Sequence, residues 1–344
     1  MSRTHQLFAV LFAFAGLIYA ALHFGFKDPA PIESVPPPRG PVQCGAMYER
    51  ICSDTGFDLD PTGVVLSDRE AELEVKELIA DIVSEHEDWE QEQLDEELVA
   101  RIFIPARVER LDQIYLWVIR AMEKFIEAQS DSVLTLAEKR LLKRRIRKTP
   151  LEMPPPASRY ADAPQLLTKT DVFYERFADG RTRLRVGGGY VLGTQSRYNL
   201  TFTIAHELAH SIDPCELRAR RIAIPAYDRL SACFVQTGLV ATRKTRLECG
   251  HDDQLAEAFA DWFAAQVTTE ALMQSSSGYS NDQLFHSVAN SVRDLCEVSG
   301  AQLDDEFHPA AKLRIERIFG DHPQMRKLLH CQEPPVAPRY CGFN

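Results

Sequence analysis

The stretch Thr201–Pro214, TFTIAHELAHSIDP, constrains this chain more than any other. It carries His206-Glu207-Leu208-Ala209-His210, two histidines four apart with a glutamate beside the first. Positions four apart stack on one face of an α-helix, so both imidazoles can offer a nitrogen to one metal ion while Glu207 stands next to it. Phe202, Ile204, Ala205, Leu208, Ala209 and Ile212 surround them with apolar surface, which predicts a buried helix. Two histidines and a carboxylate inside a core are costly unless something binds them, and a catalytic zinc is the compensation this pattern suggests. The bland alternative is a surface helix, and the apolar flanks argue against it.

A catalytic zinc takes a third protein ligand and keeps one position for water. The best source is Ala256–Ala265, where Glu257 and Asp261 lie four apart on a second, otherwise apolar helix. Glu257 then binds the metal, one zinc per chain, while Asp261 accepts the outer N–H of a liganding histidine and fixes its tautomer. His251, beside Gly250 and Asp252-Asp253 in a predicted loop, is a competing third ligand.

The remaining composition sets limits. A net charge of −11 argues against a nucleic-acid partner, which needs clustered cationic side chains. Leu7–Leu22 is apolar throughout and reads as a signal peptide or a retained signal anchor within residues 1–26. Either reading places the remainder outside the cytoplasm, on the periplasmic or extracellular side, and an uncleaved anchor would attach the chain to a membrane. Eight cysteines agree with export and suggest disulfides, with sequence alone leaving the pairing open.

Residues 27–43 form a Pro-rich tether, 44–150 an N-terminal helical region, and 151–344 the region with the metal motif. Ser67-Asp68-Arg69-Glu70 is a capping-box pattern that starts an acidic helix, and Val99–Phe125 is a periodic apolar run. The basic Lys139–Lys148 segment is expected to lie against the acidic helix or face water, with membrane-surface contact a lesser alternative. Prolines in Thr149–Pro164 predict a linker or wrapped loop. Two β-rich runs, Asp171–Phe177 and Arg181–Val186, joined through Asp179-Gly180, predict a hairpin. Such an edge can hold a peptide as an added strand. Gly187-Gly188-Gly189 reads as a loop that lets a ligand backbone approach, and Asn199-Leu200-Thr201 is a glycosylation sequon by pattern.

His206-Glu-Leu-Ala-His210-Ser-Ile-Asp213, followed by Glu257-x-x-x-Asp261, resembles the neprilysin-type zinc metallopeptidases, which are gluzincins. His308 with Arg314 six residues later, His322-Pro323, Leu329-His330-Cys331 and a terminal Cys341 resemble that family's C-terminal stretch, and Cys44–Cys52 resembles the segment that opens its ectodomain. The resemblance covers roughly Asp171–Asn344 and the Cys44 segment. It implies an α+β, mostly helical zincin fold with a small mixed sheet, an active-site helix and a helical C-terminal lobe. The implied function is an exported zinc endopeptidase acting on peptides or proteins. Glu207 is then the general base, His308 stabilises the oxyanion, and Arg314 holds a substrate carbonyl and supports the site. The implied disulfides are Cys44–Cys331, Cys52–Cys296 and Cys233–Cys341, leaving Cys215 with Cys249. Two departures stand out: only a reduced helical lid is available, and Asp171-Val172 replaces the family's Asn-Ala before the edge-strand aromatics. They motivate a competing reading, a catalytically inactive zinc-binding module that holds a peptide or partner. A zinc hydrolase acting on a non-peptide amide is a third.

Overall fold

A computed structural model describes residues 47–53, 59–153, 165–240, 254–297, 308–331 and 340–343. All of them belong to one compact unit, Arg39–Asn344. The Leu7–Leu22 run, the tether, Cys44, Cys249 and His251 lie outside the described residues, among which no helix is long and apolar enough to cross a membrane.

The N-terminal half is helical: α1 (Met47–Ser53), α2 (Asp68–Glu85), α3 (Gln91–Ile102), α4 (Pro105–Glu127) and α5 (Leu136–Arg147). The capping box at Ser67 forms in full, the Ser67 hydroxyl accepting from Glu70 N–H and the Glu70 carboxylate accepting from Ser67 N–H at 2.8 Å. The apolar run from Val99 to Phe125 is not one helix. Pro105 has no N–H and disfavours helical backbone at the residue before it, so Ile104 is extended (φ −61°, ψ 150°) and the chain restarts with Pro105 at the first helical position. The basic segment turns Arg140, Arg144, Arg147 and Lys148 to water, as one of its two expected arrangements had it, but does not lie against the acidic helix. It forms α5, and Lys143 and Arg147 pair with Glu127 and Glu123 of α4 rather than with the acidic α2.

A three-stranded mixed sheet follows, order β1-β3-β2. β1 (Leu151–Glu152) runs parallel to β3 (Thr182–Val186), and β2 (Val172–Arg176) pairs antiparallel with β3 in the register Val172↔Val186. The predicted hairpin is therefore present, with Gly180 taking the left-handed backbone (φ +83°) that its turn needs. β1 falls where a linker was expected: Pro150 and Pro154 bracket the segment and keep it from forming a helix, and β3 supplies a partner for the short extended stretch between them. The glycine run is likewise no open loop. Gly188–Gly193 forms α6, and a Cβ at Gly187 or Gly188 would stand 2.2 Å from the Lys169 carbonyl oxygen or 2.3 Å from that of Leu167. The close approach is by the chain's own backbone.

The C-terminal half comprises α7 (Arg197–Ala209), α8 (Pro214–Ala219), α9 (Pro225–Gln236), α10 (Leu255–Ser275), α11 (Asn281–Ser291), a π-helical segment at Arg314–Gly320 and α12 (Pro323–Leu328). One hydrophobic core runs through both halves. Phe125 of α4 meets Phe263 and Trp262 of α10 edge-on at 5.2 and 5.7 Å, and Trp262 meets Phe343 at 5.0 Å. Buried Asp60 ties the loop before α2 to the start of α7 and the C-terminal half of α11, accepting from Ser196 Oγ (2.7 Å), Ser287 Oγ (3.3 Å) and Asn290 Nδ2 (3.2 Å). The described residues thus form a mostly helical α+β fold with a small mixed sheet.

Disulfides join Cys52 to Cys296 and Cys233 to Cys341. Cys215 and Cys331 are disulfide-bonded as well, and the partners expected for them, Cys249 and Cys44, lie outside the described residues. The sequon asparagine serves the interior. Asn199 is 0 % exposed, and its amide nitrogen donates to Asn290 O (3.0 Å) and Asp294 Oδ2 (2.9 Å), so the folded chain offers no glycosylation acceptor there.

Candidate metal centre

Ser196 caps α7, its hydroxyl accepting from Asn199 N–H, and the helix runs to Ala209 with His210 as its C-cap. Ala205 and Ala209 on α7 and Ala258, Ala260, Ala264 and Ala265 on α10 are fully buried. Small side chains let the two backbones come close, and that closeness brings short acidic side chains of α10 within reach of the α7 imidazoles.

The predicted ligands converge. His206, His210 and Glu257 present donor atoms within 4.8 Å of one another. His206 Nε2 lies 3.3 Å from His210 Nε2 and 3.1 Å from Glu257 Oε2, and Glu257 Oε1 lies 3.6 Å from His210 Nε2. Two ligand atoms each about 2.0–2.1 Å from a zinc and related by a tetrahedral angle are about 3.3 Å apart. The distance between the two imidazole nitrogens fits that figure, and each imidazole has one Glu257 oxygen at a comparable distance.

The hydrogen-bond pattern is compatible with a cation there. His206 Nδ1 donates to Asp261 Oδ1 at 2.9 Å, and His210 Nδ1 faces Asp213 Oδ2 at 3.4 Å. With protons on both Nδ1 atoms, the neutral rings turn two lone pairs and a carboxylate toward one point, a mutually repulsive set unless positive charge sits between them. In this arrangement the two imidazoles also hold protons strongly. Burial disfavours a charged His206, but its hydrogen bonds to Asp261 and Glu257 outweigh that and lift it to about 9. Burial opposes charge on His210 as well, and attraction to Glu257 overrides it. The donor set and its spacing suit a zinc ion held by His206, His210 and Glu257.

Glu207 stands beside this cluster. Its Oε1 is 3.9 Å from His206 Nε2, and its Oε2 accepts the Tyr174 backbone N–H of β2 at 2.7 Å. Burial pushes its carboxyl up to about 7. β2 is one of the two edge strands of the sheet, and its unpaired edge faces α7.

Asp261 and Arg314 lie behind His206. Arg314 is 5 % exposed and holds Asp261 with two hydrogen bonds, Nε to Oδ2 at 2.5 Å and Nη2 to Oδ1 at 2.8 Å. Burial works against charge on Asp261, and Arg314 overcomes it, bringing the carboxyl down to about 2. His308 Nε2 lies 3.2 Å from Glu257 Oε2, next to the ligand cluster. All seven expected site residues therefore gather around one point.

Sequence reasoning assigned no task to three neighbours. Asp213 caps α8, accepting from Glu216 N–H at 2.7 Å, while its other oxygen backs His210. The Asp213-Pro214 pair is a readable helix start, but its second role needs the tertiary structure. Tyr174 contributes its backbone, which no side-chain pattern reports. Glu216, 5 % exposed along its side chain, accepts from Arg145, Arg176 and Arg220, each at 2.6 Å, and so ties α5, β2 and α8 together beneath the site. Replacing Glu216 by Ala removes the shared acceptor of three guanidinium groups, of which that of Arg145 is mostly buried. We expect a loss of about 3 kcal/mol and a melting temperature lower by roughly 5–10 °C, read by circular dichroism.

No protein-family model matches the chain, and no curated protein matches it.

Proposed function

We propose that this chain is an exported zinc-dependent endopeptidase of the neprilysin-type, zincin-fold kind. The observation that carries the reading is the convergence of His206 Nε2, His210 Nε2 and Glu257 within 4.8 Å, with the buried Glu207 carboxyl beside it and outside the ligand set. A zinc ion held there supplies Lewis acidity toward a substrate carbonyl and toward water. Glu207, lifted to about 7 by burial, is poised to take a proton from the attacking water near neutral pH and to deliver it to the leaving amine. Asp261 fixes the His206 ring by accepting from Nδ1, and Asp213 backs His210 in the same sense. His308, beside Glu257, is within reach of charge that develops next to the ligands. The Cys52–Cys296 and Cys233–Cys341 bridges support an exported setting.

The test is incubation of the purified chain with a mixed peptide pool, zinc content being measured on the same sample. About one zinc per chain with internal cleavage is the expected result. Stoichiometric zinc without cleavage favours the inactive binding module, and absence of bound zinc sinks the metal centre itself.

A further inference from the structure

Between α4, α6 and the start of α7 lies a cavity of about 160 Å³, lined by none of the metal-centre residues. Leu111, Val191, Leu192 and Leu200 give it apolar walls, and Arg107 and Arg110 bring two guanidinium groups to it. Positions three and four apart share a helix face, so Arg107, Arg110 and Leu111 reach the cavity together from α4. Gln195 also lines it and is exposed, which leaves a way in from solvent. An apolar cavity of about 150 Å³ accepts a benzene-sized molecule, so the space here suits a compact ligand body.

The two arginines have structural tasks that occupy only part of each. Arg107 Nη1 donates to Arg101 O and Ile102 O, both at 3.0 Å, at the C-terminal end of α3. Arg110 Nη2 donates to Thr62 O at 3.1 Å and to Gln195 O, clamping the loop before α2 to the one before α7. A guanidinium carries five N–H donors, so Nε and the other Nη of each arginine remain. Carbonyl oxygens satisfy donors without neutralising charge. Neither arginine meets a carboxylate among the described residues, whereas Arg145, Arg183, Arg185 and Arg314 each meet one at 3.0 Å or closer. Asp60 attracts Arg110 from outside ion-pair range, and its oxygens already accept from Thr62, Ser196, Ser287 and Asn290. Two half-buried cations therefore border apolar surface with donors to spare, an arrangement that an entering anion completes.

We propose that this cavity is a second ligand site, taking an organic acid with one carboxylate on a compact branched or aromatic body. The carboxylate meets the guanidinium donors of Arg107 and Arg110, and the leucines and Val191 cover the body. The same chemistry belongs to a free small acid and to the C-terminus of a peptide that ends in an apolar residue. The site is independent of the peptidase reading. Its test is a ligand-observed NMR titration of the zinc-loaded protein with benzoate, with its neutral isostere benzamide, with inorganic phosphate and with N-acetylleucine. The titration is repeated on Arg107→Gln, which keeps an N–H group for the α3 carbonyls without the charge, and on Leu192→Phe, which narrows the cavity and keeps both charges. Circular dichroism confirms that each variant is folded.

We expect saturable binding of benzoate or N-acetylleucine with a Kd of about 1 mM or below, and at least tenfold weaker binding of benzamide and of phosphate. Each variant should weaken the bound acid by about tenfold. Tighter binding of benzoate identifies a free acid as the ligand class, and tighter binding of N-acetylleucine identifies a peptide C-terminus. No saturable binding of either acid, or binding of benzamide or phosphate as tight as theirs, overturns the inference on the unsubstituted protein alone, whether or not a variant folds. A carboxylate also binds zinc, so binding that both variants leave unchanged, or that disappears when a chelator removes the metal, belongs to the metal centre and overturns it as well.

Discussion

Glu207→Gln is expected to lower turnover of any cleaved peptide by at least about a hundredfold while zinc content stays at its original value. The separation of the two effects follows from where the side chain sits. Glu207 Oε1 is 3.9 Å from His206 Nε2, outside the ligand cluster, and Oε2 is engaged by Tyr174 N–H. Glutamine keeps an oxygen for that N–H, so the β2–α7 contact survives and the ligands need not move. The lost property is the capacity to accept a proton, in a carboxyl that burial has lifted to about 7. The expected signature is therefore a fall in kcat with little change in KM. Near-normal turnover would remove Glu207 as the base, whereas loss of zinc would show that the residue supports the ligand geometry instead.

How far the site can be read from sequence depends on whether a feature is set by a helix or by its neighbours. The spacing His206-x-x-x-His210 and Glu257-x-x-x-Asp261 fixes, within each helix, which side chains share a face, and the structure gathers those four residues around one point. That Glu257 rather than Asp261 joins the cluster, and that Asp261 meets Nδ1, depends on how α7 and α10 pack, which the alanines permit but do not spell out. Where tertiary neighbours decide, sequence reasoning went astray. Gly187 and Gly188 make room for the Leu166–Lys169 backbone rather than for a ligand, Asn199 spends its amide inside the core, and Leu151–Glu152 becomes a strand because β3 is there to pair with it. Pro105 was legible as a helix start, and the apolar periodicity on either side concealed it.

Arg314→Met should be the most damaging single change to stability among the residues behind the zinc ligands, at about 3–5 kcal/mol, or a melting temperature lower by roughly 10 °C. Arg314 and Asp261 are both buried, with side chains 6 % and 1 % exposed, and the guanidinium meets both carboxylate oxygens. Methionine fills much of the volume but leaves Asp261 a charged group in the core, still facing the His206 Nδ1–H at 2.9 Å. Adding Asp261→Asn to Arg314→Met removes the uncompensated charge. The pair of substitutions should accordingly be more stable than Arg314→Met alone by more than about 1 kcal/mol, measured as a double-mutant cycle in urea. The same proteins separate the two tasks that the resemblance gives Arg314. If the arginine acts through Asp261 and His206, Arg314→Met weakens zinc retention against a chelator and leaves KM for the remaining metallated enzyme unchanged. If it holds a substrate carbonyl, KM rises even in fully metallated protein, and the Asp261→Asn partner does not restore it. Its 5 % exposure favours the first outcome, because a guanidinium buried against Asp261 is shielded from a substrate.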